Sequence, residues 1–406
     1  MNKRLEETVQ ECVRCLYKST HPFGLSFNED GVCSGCLTHD EKFTLDWDER
    51  FSRLERIASQ LRYINRNSDY DCVVPVRGTP EYFYVLDVLK NKLGLRPLIV
   101  CYNSQFNSFV GIQNLDQLRE TFDVDLLHYT TNPNIYKKLI REALVRFKSM
   151  RWPYISGETS FPVQIAVEHK VSCVVWPYHQ PTEQVGMHSY LDEPMMSRRS
   201  RHEFDLMGYE PSQLVSAETL ISSNDIHDIQ YPSNRELERG QVVGIYLANY
   251  LPWDTRRYSE AMIEKYGARG AVNPRTFDTY DRIDDMTYMT IHDVIKQAKL
   301  GYSRVTDNLC REIRFGRISR ENAAAIENYY QAQYPDEGID KFLSWLGMER
   351  NGFLWMLERM PHEVTHNVSV ANLSLDQKDF STYFLGHENK VICGNFIVYG
   401  KGLPTP

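Results

Sequence analysis

Short apolar runs alternate with amphipathic patterns through the first half of the chain. The runs lie at 72–76, 97–102, 124–129 and 172–176, and helical patterns separate them. Continuous apolar runs of this length are typical of strands that are buried on both faces. The alternation therefore predicts an α/β fold in which helices cover both faces of a parallel sheet. Ligands of such sheets bind beyond the carboxyl ends of the strands.

Helical patterns account for most of the remaining chain. A helix is predicted over 47–62, because its apolar residues fall on one face. Further helices are predicted between the apolar runs, at 79–93, 111–122, 134–149 and 161–169. Beyond about residue 236 we expect one more strand at 242–247 and otherwise helices, near 255–266, 291–300, 319–332, 338–347 and 350–359.

Four cysteines near the start of the chain form two Cys-x2-Cys pairs. Cys12 and Cys15 make the first pair, and Cys33 and Cys36 make the second. This spacing is typical of a four-thiolate zinc site, in which each of two tight turns contributes two sulfurs to a tetrahedral ion. A closed site of this kind stabilises the fold and leaves no open position for chemistry. Disulfides and an iron–sulfur cluster are the alternatives that the spacing leaves open.

Composition narrows the classes of function. The net charge is −8 and no block is strongly basic, which argues against a nucleic-acid partner. No apolar run approaches the roughly 18 residues that a membrane span needs. The first residues, MNKRLEETVQ, lack the apolar stretch of a secretory signal, and the cysteines outside the two pairs are scattered. We therefore expect a cytoplasmic protein with no membrane span.

The turn after the first predicted strand is a candidate phosphate site. Its residues are Val76, Arg77, Gly78, Thr79, Pro80 and Glu81. Thr79 is the predicted N-cap of the next helix. Backbone N–H groups at such a turn attract phosphate, and Arg77 and the Thr79 hydroxyl add donors. The alternative is a plain turn with a surface arginine. Tyr102 and Asn103, at the end of the second strand, complete the predicted nucleotide site.

Later segments add candidates for catalysis and substrate binding. Arg304 and Asp307 open a helical pattern, in which they are candidates for phosphate or sugar contacts. The alternative is a solvated basic face. His179 and Glu183 follow the strand at 172–176, where a substrate is expected to lie, although a lone histidine is more often a structural hydrogen-bond partner.

An aromatic residue and a carboxylate follow the predicted strand at 242–247. Trp253 is a candidate for stacking on a sugar, and Asp254 is a candidate for holding sugar hydroxyls. The alternative is a tryptophan that is packed on a turn.

The patterns divide the chain into four parts. We expect a zinc-binding module over 1–45, an α/β nucleotide-binding domain over 46–235, a mainly helical region for substrate or partner over 236–360, and an extension over 361–406. A hairpin around 391–398 is one reading of the extension.

Several long blocks carry a resemblance to a known family. They are CVRC, DGVCSGC, YDCVVPV, VGIQNLDQL, FPVQIAV, GIYLANYLPWD and HDVIKQAKLGYSRVTDNLCREIRFGRISRENA. In these blocks and in their order the chain resembles the N-acetyl sugar amidotransferases of bacterial surface-polysaccharide biosynthesis. The resemblance implies a Rossmann-like fold of the N-type ATP-pyrophosphatases. It also implies an enzyme that uses ATP and Mg²⁺ to convert an acetamido group of a sugar to an acetamidino group.

The resemblance also implies partners. Adenylation makes the amide oxygen a good leaving group, and ammonia then displaces AMP. A separate glutaminase subunit would supply the ammonia, because the chain shows no glutaminase domain, and a cyclase-like protein would help to deliver it. The implied substrate is a sugar linked to a nucleotide.

The chain departs from the usual family pattern in two places. Where the family has Ser-Gly-Gly-x-Asp-Ser after the first strand, residues 77–82 read Arg-Gly-Thr-Pro-Glu-Tyr, as in a variant subgroup. Where the family often has Cys-Trp-Pro-Cys-His, residues 151–155 read Arg-Trp-Pro-Tyr-Ile. The prediction is an amidotransferase. The alternatives are a non-catalytic member that binds a sugar nucleotide or a partner protein, and an ATP-dependent modification of another substrate such as RNA.

Overall fold

A five-stranded parallel sheet forms the centre of the protein. The computed structural model describes residues 9–216 and 218–360. The strands are β1 (Cys72–Pro75), β2 (Pro97–Tyr102), β3 (Leu126–Tyr129), β4 (Cys173–Trp176) and β5 (Val243–Tyr246). They lie in the order β3-β2-β1-β4-β5, and each pairing is parallel. The predicted fold class is therefore confirmed.

Helices cover the sheet and build the rest of the described chain. The α-helices are α1 (Ser34–Glu41), α2 (Trp47–Ile64), α3 (Glu81–Leu86), α4 (Phe109–Phe122), α5 (Pro133–Phe147), α6 (Trp152–Glu168), α7 (Gln180–Val185), α8 (Arg198–Ser200), α9 (Asn234–Gly240), α10 (Thr255–Tyr266), α11 (Met286–Leu300), α12 (Arg304–Arg314), α13 (Arg320–Gln331), α14 (Asp336–Leu346) and α15 (Arg350–Glu358). Two π-helical segments continue α3 and α8, at Asp87–Lys92 and Arg201–Asp205. Short 3-10 helices lie at Pro211–Leu214, Ser223–Ile229, Leu247–Asn249 and Ile283–Asp285.

Two helix starts differ from the sequence prediction. Helix α6 begins at Trp152 rather than near residue 161, and Pro162 lies inside it. Proline usually marks a first turn, so its position hid the preceding turns of this helix. Helix α3 is not capped by Thr79: Pro80 precedes the helix, and Thr79 Oγ1 has no hydrogen-bond partner among the described residues.

Alternate strand residues face two separate cores. Val73 of β1 and Val100 of β2 pack in one core, which includes residues of α5, α6, α11 and α14. Val74 of β1 and Ile99 of β2 pack in the other core, with residues of α2, α3, α4 and α10. Because side chains alternate along a strand, an apolar run that feeds both faces gives a sheet that is buried on both sides.

The order of the strands creates a crevice between β1 and β4. From β1 the chain proceeds outward through β2 to β3, and it then returns to place β4 and β5 on the other side of β1. The loops after β1 and β4 therefore leave the sheet in opposite directions. Open parallel sheets bind ligands at such a switch point, beyond the carboxyl ends of the strands.

The terminal regions pack onto this sheet domain. The segment with the four cysteines contacts α12 through a small apolar cluster, and α1 lies against α7. Helices α11, α14 and α15 share the core that contains Val73. Strand β5 completes the sheet although it lies beyond residue 235, where the sequence placed a boundary. The predicted extension at 361–406, including the hairpin around 391–398, lies outside the described residues.

Candidate active site at the carboxyl ends of β1 and β4

A cavity of about 550 Å³ opens at the switch point of the sheet. Its walls come from the ends of β1 and β4, from α6, from Asp281 and Arg282 ahead of α11, and from α11 and α12. Cavities of 300–1,000 Å³ hold ligands the size of a nucleotide or a drug. The position and the volume make this cavity the candidate ligand site.

Arg77 reaches the cavity wall and is held by carboxylates. Its Nη2 lies 3.0 Å from Asp284 Oδ1 and 2.9 Å from Asp285 Oδ2. Its Nη1 lies 3.2 Å from Glu158 Oε1 and donates to Tyr154 Oη at 2.9 Å. Burial opposes the charged form of Arg77, but Asp284 and Asp285 outweigh it and raise its pKa well above the ordinary value. The arginine is neutralised within the protein.

The glycine of the predicted phosphate loop faces α4 rather than the cavity. A Cβ atom at Gly78 would overlap the backbone of Gly111 in α4. The carbonyl of Gly78 accepts a hydrogen bond from Asn114 Nδ2 at 3.0 Å, and Thr79 is buried away from the cavity wall. The absence of a side chain at residue 78 therefore serves helix packing, and the loop does not fit the open phosphate cradle that the sequence suggested.

Glu81, at the start of α3, is buried at the edge of the cavity. Burial, and to a lesser extent the nearby charge of Asp281, raises the pKa of Glu81 to about 8. Its Oε2 has no hydrogen-bond partner among the described residues. A carboxyl group that titrates near neutral pH and lines a cavity is suited to proton transfer.

Arg304 and Asp307 lie together in the wall formed by α12, as the sequence suggested. Arg304 Nη1 lies 3.6 Å from Asp281 Oδ2 and donates to the Asp281 carbonyl at 3.0 Å. Asp307 forms an ion pair with Lys296 and accepts a hydrogen bond from Tyr17 at 2.8 Å. Both charges are therefore balanced within the wall.

His179 and Glu183 also line the cavity, but their polar atoms are engaged by the protein. His179 Nδ1 is paired with Thr182 Oγ1 at 2.9 Å, and its Nε2 with Ser200 Oγ at 3.0 Å. Burial lowers the pKa of His179 to about 4, so the ring is neutral at pH 7. Glu183 Oε2 accepts from Lys42 at 2.7 Å. These contacts are those of structural hydrogen-bond partners.

The second strand contributes two residues to the wall, Val100 and Tyr102. Tyr102 lines the cavity, and its hydroxyl is bonded to Thr131 at 2.7 Å and to Asp228 at 2.9 Å. Asn103 is buried outside the wall, where its Nδ2 donates to Thr130 Oγ1 at 2.9 Å. Val76 lines the cavity with its apolar side chain.

Trp253 and Asp254 do not lie at the cavity, in contrast to the sequence expectation. Trp253 is only 2 % exposed and packs among Tyr84, Tyr178 and Tyr258. It offers no free ring face for a sugar. Asp254 caps α10 by accepting from the Arg257 N–H at 3.2 Å, so its role is structural.

Several cavity residues escaped the sequence analysis. Tyr154 and Glu158 come from α6, whose first turns were not predicted, and Asp281 comes from the segment before α11. Asp284 of the same segment lies behind the wall, where it pairs with Arg77. The only local signal for the latter was the acidic run Asp-Arg-Ile-Asp-Asp at 281–285. Its partner Arg77 lies far away in sequence, and no local pattern links the two.

The four paired cysteines meet at one point, as predicted. Cys12, Cys15, Cys33 and Cys36 are buried, and their sulfurs all lie within 4.8 Å of one another. Such a set of thiolates fits a tetrahedral metal ion with a closed coordination sphere. In the described part of the chain every cysteine is free of a disulfide. The cluster can therefore hold a metal ion.

The fold and the cavity define a parallel α/β protein with a ligand site at its switch point. Residues 274–382 match the family model of the LPS biosynthesis protein WbpG-like, C-terminal domain. The match covers about a quarter of the chain, and over that segment it fits the resemblance to the N-acetyl sugar amidotransferases.

One sequence and one solved structure show weaker similarity to the chain. An uncharacterized protein of Methanocaldococcus jannaschii is 22 % identical over 141 residues, which are 34 % of this chain and 48 % of that protein. The chain thus spans about half the length of this curated relative. The structure of NMN synthetase from Francisella tularensis aligns with a TM-score of 0.27 and 12 % identity, over 57 % of this chain and 99 % of that one. None of the helices in the described part of the chain has the length and apolar content that crossing a membrane requires.

Proposed function

We propose that the chain is an ATP-dependent amidotransferase that converts the acetamido group of a nucleotide-linked sugar to an acetamidino group in surface-glycan biosynthesis. The observation that carries this proposal is the overlap of the WbpG-like segment with the cavity. Lys296, Arg304 and Asp307 lie within residues 274–382 and line the cavity at the switch point. The segment that resembles an LPS biosynthesis protein thus supplies one wall of the ligand site.

The proposed reaction needs an activated amide oxygen. Adenylyl transfer from ATP to that oxygen releases pyrophosphate, and ammonia then bonds to the amide carbon while the C–O bond to AMP breaks. Positioning of the two substrates in a closed cavity supplies much of the acceleration. Glu81 is the candidate group for taking up the proton that the attacking ammonia loses. Only its ionised form can do so, and that form grows as the pH approaches its pKa of about 8.

We also propose zinc as the ion of the four-cysteine site, because four converging thiolates are the usual ligands of structural zinc. The ion would hold the N-terminal module against α12. A glutaminase subunit, a cyclase-like protein that delivers ammonia, and a cytoplasmic location complete the proposal, and they rest on the sequence resemblance and composition.

A second candidate function has one observation in its favour. Helix α4 packs directly against Gly78, and carboxylates neutralise Arg77. The loop after β1 therefore lacks the free donors that ATP phosphates require. The alternative is a non-catalytic member of the family that binds a sugar nucleotide or a partner protein.

One assay separates the two candidates. Purified full-length protein is incubated with Mg-ATP, ammonium chloride and a panel of UDP-linked acetamido sugars, and AMP and pyrophosphate are measured. The amidotransferase predicts AMP with one sugar, together with a sugar product that is lighter by about one mass unit, because NH replaces O. Reactions without sugar and with Glu81→Gln are the controls. Protein that binds a sugar of the panel and forms no AMP in any reaction would favour the non-catalytic member.

A further inference from the structure

The cations of the cavity wall fall into two groups. Most of them form an ion pair with a carboxylate: Arg77 with Glu158, Asp284 and Asp285, Arg201 with Glu210, Arg282 with Glu158, Lys296 with Asp307, Arg304 with Asp281 and Asp293, and Arg311 with Asp281. Lys148, Arg151 and Lys299 form no ion pair with any carboxylate of residues 9–216 and 218–360. The three lie in one region, where the turn between α5 and α6 meets the end of α11.

Arg151 is the most unusual of the three. It is only 3 % exposed, and its Nε has no hydrogen-bond partner among the described residues. Its Nη1 contacts the sulfur of Met289, and its guanidinium lies 5.0 Å from the centre of the Tyr154 ring. A buried charge without a partner costs several kcal/mol of folding free energy. A protein keeps such a charge where a ligand supplies the missing counterion.

The cavity wall around Arg151 also holds Lys148 and Lys299, and none of the carboxylates in the described residues forms an ion pair with these cations. Burial first, and then the neighbouring Lys148, lower the pKa of Lys299. The Lys299 ammonium has one hydrogen bond, to the Phe147 carbonyl at 3.5 Å. His292 lies seven residues before Lys299 in α11, and its Nδ1 has no hydrogen-bond partner among the described residues. Burial first, and then Arg151 and other cations, lower its pKa. The wall cations without an ion pair to a described carboxylate thus lie together at this end of the cavity.

The start of helix α6 adds a further positive electrostatic field that favours an anion. The helix begins at Trp152, directly after Arg151, and no side chain caps its start. Its free N–H groups and the positive end of its dipole act in the same region as the three cations. Ser149 lines the cavity beside them and brings a hydroxyl group.

We propose that Lys148, Arg151 and Lys299 form a phosphoryl subsite that takes the diphosphate of a nucleotide. The subsite lies on the α5–α6 turn, and it is distinct from the loop after β1. Three cations match the two or three negative charges of a nucleoside diphosphate group better than the single charge of a carboxylate. This inference rests on the proposed function. The diphosphate could belong to either of two ligands, the sugar nucleotide or ATP.

Binding of inorganic pyrophosphate, UDP and ATP to the full-length protein tests the subsite by isothermal titration calorimetry. Uridine and adenosine are the probes without phosphate. Arg151→Gln and Lys299→Gln should each weaken pyrophosphate binding by about tenfold or more, since each removes a charged hydrogen-bond donor. Arg146→Gln is the matched control: Arg146 is exposed on α5, pairs with Glu142 at 3.1 Å and lies outside the cavity wall.

The outcomes separate this inference from the proposed function. Loss of UDP binding in the variants supports the subsite and identifies the sugar nucleotide as its source, whereas loss of ATP binding alone supports it and identifies ATP. Unchanged affinity of all three phosphates in the Arg151→Gln/Lys299→Gln double variant would overturn it, as would wild-type protein that binds none of them. Pyrophosphate binding needs no turnover, so the subsite stands even if no AMP is formed. Both variants remove an unpaired charge and should fold at least as stably as the wild type, which urea unfolding checks.

Discussion

Removal of Arg77 most directly tests the ion pairs that Glu158, Asp284 and Asp285 form with it. The guanidinium contacts Asp284, Asp285 and Glu158 at 2.9–3.2 Å, and its side chain is 5 % exposed. In Arg77→Ala these carboxylates lose their common counterion, while the surrounding protein continues to exclude water. Breaking a buried ion pair by removing one partner costs about 3–5 kcal/mol.

The cost should depend on pH, because a carboxylate without its partner can take up a proton instead. Protonating an ordinary aspartate costs about 4 kcal/mol at pH 7 and about 1.5 kcal/mol at pH 5. Burial already raises the pKa of Asp284 and the charge of Arg77 opposes that rise, so the removal of Arg77 lifts the folded-state pKa further above the unfolded value and the lost stability returns as the pH falls. We therefore expect Arg77→Ala to lose about 4 kcal/mol at pH 7 and roughly half of that at pH 5.

Urea unfolding followed by circular dichroism at the two pH values measures this loss. Arg146→Ala is the control, because its pair with Glu142 is partly exposed and should contribute below about 1 kcal/mol. Adding Asp285→Asn to Arg77→Ala removes one uncompensated carboxylate and should restore part of the loss at pH 7. A loss below about 1 kcal/mol at both pH values would refute the reasoning, because the carboxylates would then not depend on Arg77.

Three further predictions follow from single positions. Glu81→Gln should gain stability relative to the wild type as the pH rises from 5 to 8, by up to about 3.5 kcal/mol, because the wild-type stability from the neutral carboxyl is fully present below the unfolded pKa of 4.5 and is lost as the pH passes about 8; parallel urea curves would contradict this. Cys33→Ser should abolish the one metal ion per chain that mass spectrometry of the native protein is expected to detect, whereas Cys173→Ser, in the sheet, should keep it. Gly78→Ala should lower stability by about 1–3 kcal/mol, because its Cβ overlaps the backbone of α4. Gly338→Ala in α14, whose Cβ would meet only Thr287 Cγ2 at 3.8 Å, should be neutral or stabilising by up to about 1 kcal/mol in thermal unfolding; equal effects of the two would exclude the close packing.

Strands and the parallel sheet could be predicted because their signals are local. An apolar run such as 97–102 can be buried on both faces only inside a covered sheet, and its alternating residues enter the two cores. Helix α2 could be placed for the same reason: its start is fixed by Asp46, which accepts from the N–H groups of Asp48 and Glu49 at 3.1 and 2.9 Å.

The state of each candidate side chain could not be predicted, because it depends on partners distant in sequence. Arg77 is the clearest case, since the phosphate loop predicted a free donor and the segment at 283–285 neutralises it. Trp253 is a second case: next to a proline and an aspartate it has the composition of a sugar platform, but aromatic rings from three other elements cover it. Spacing identifies a residue as chemically capable, whereas packing decides whether its polar atoms remain available.

The two ends of the cavity differ in whether their cations are paired with carboxylates. Arg77 and Arg151 both lie within 5.3 Å of the centre of the Tyr154 ring, but carboxylates neutralise only the former. An anionic ligand therefore gains most at Arg151, and the Arg77 end is closer to neutral and holds the protonated Glu81. A nucleotide sugar whose diphosphate lies at the α5–α6 turn must then extend its sugar along the cavity, which at about 550 Å³ has room for it. This orientation would bring an acetamido group toward the residues at the end of β1, where a neutral carboxyl can donate a hydrogen bond to an amide oxygen. The two departures from the family pattern, at residues 77 and 151, would thus act on opposite ends of one ligand.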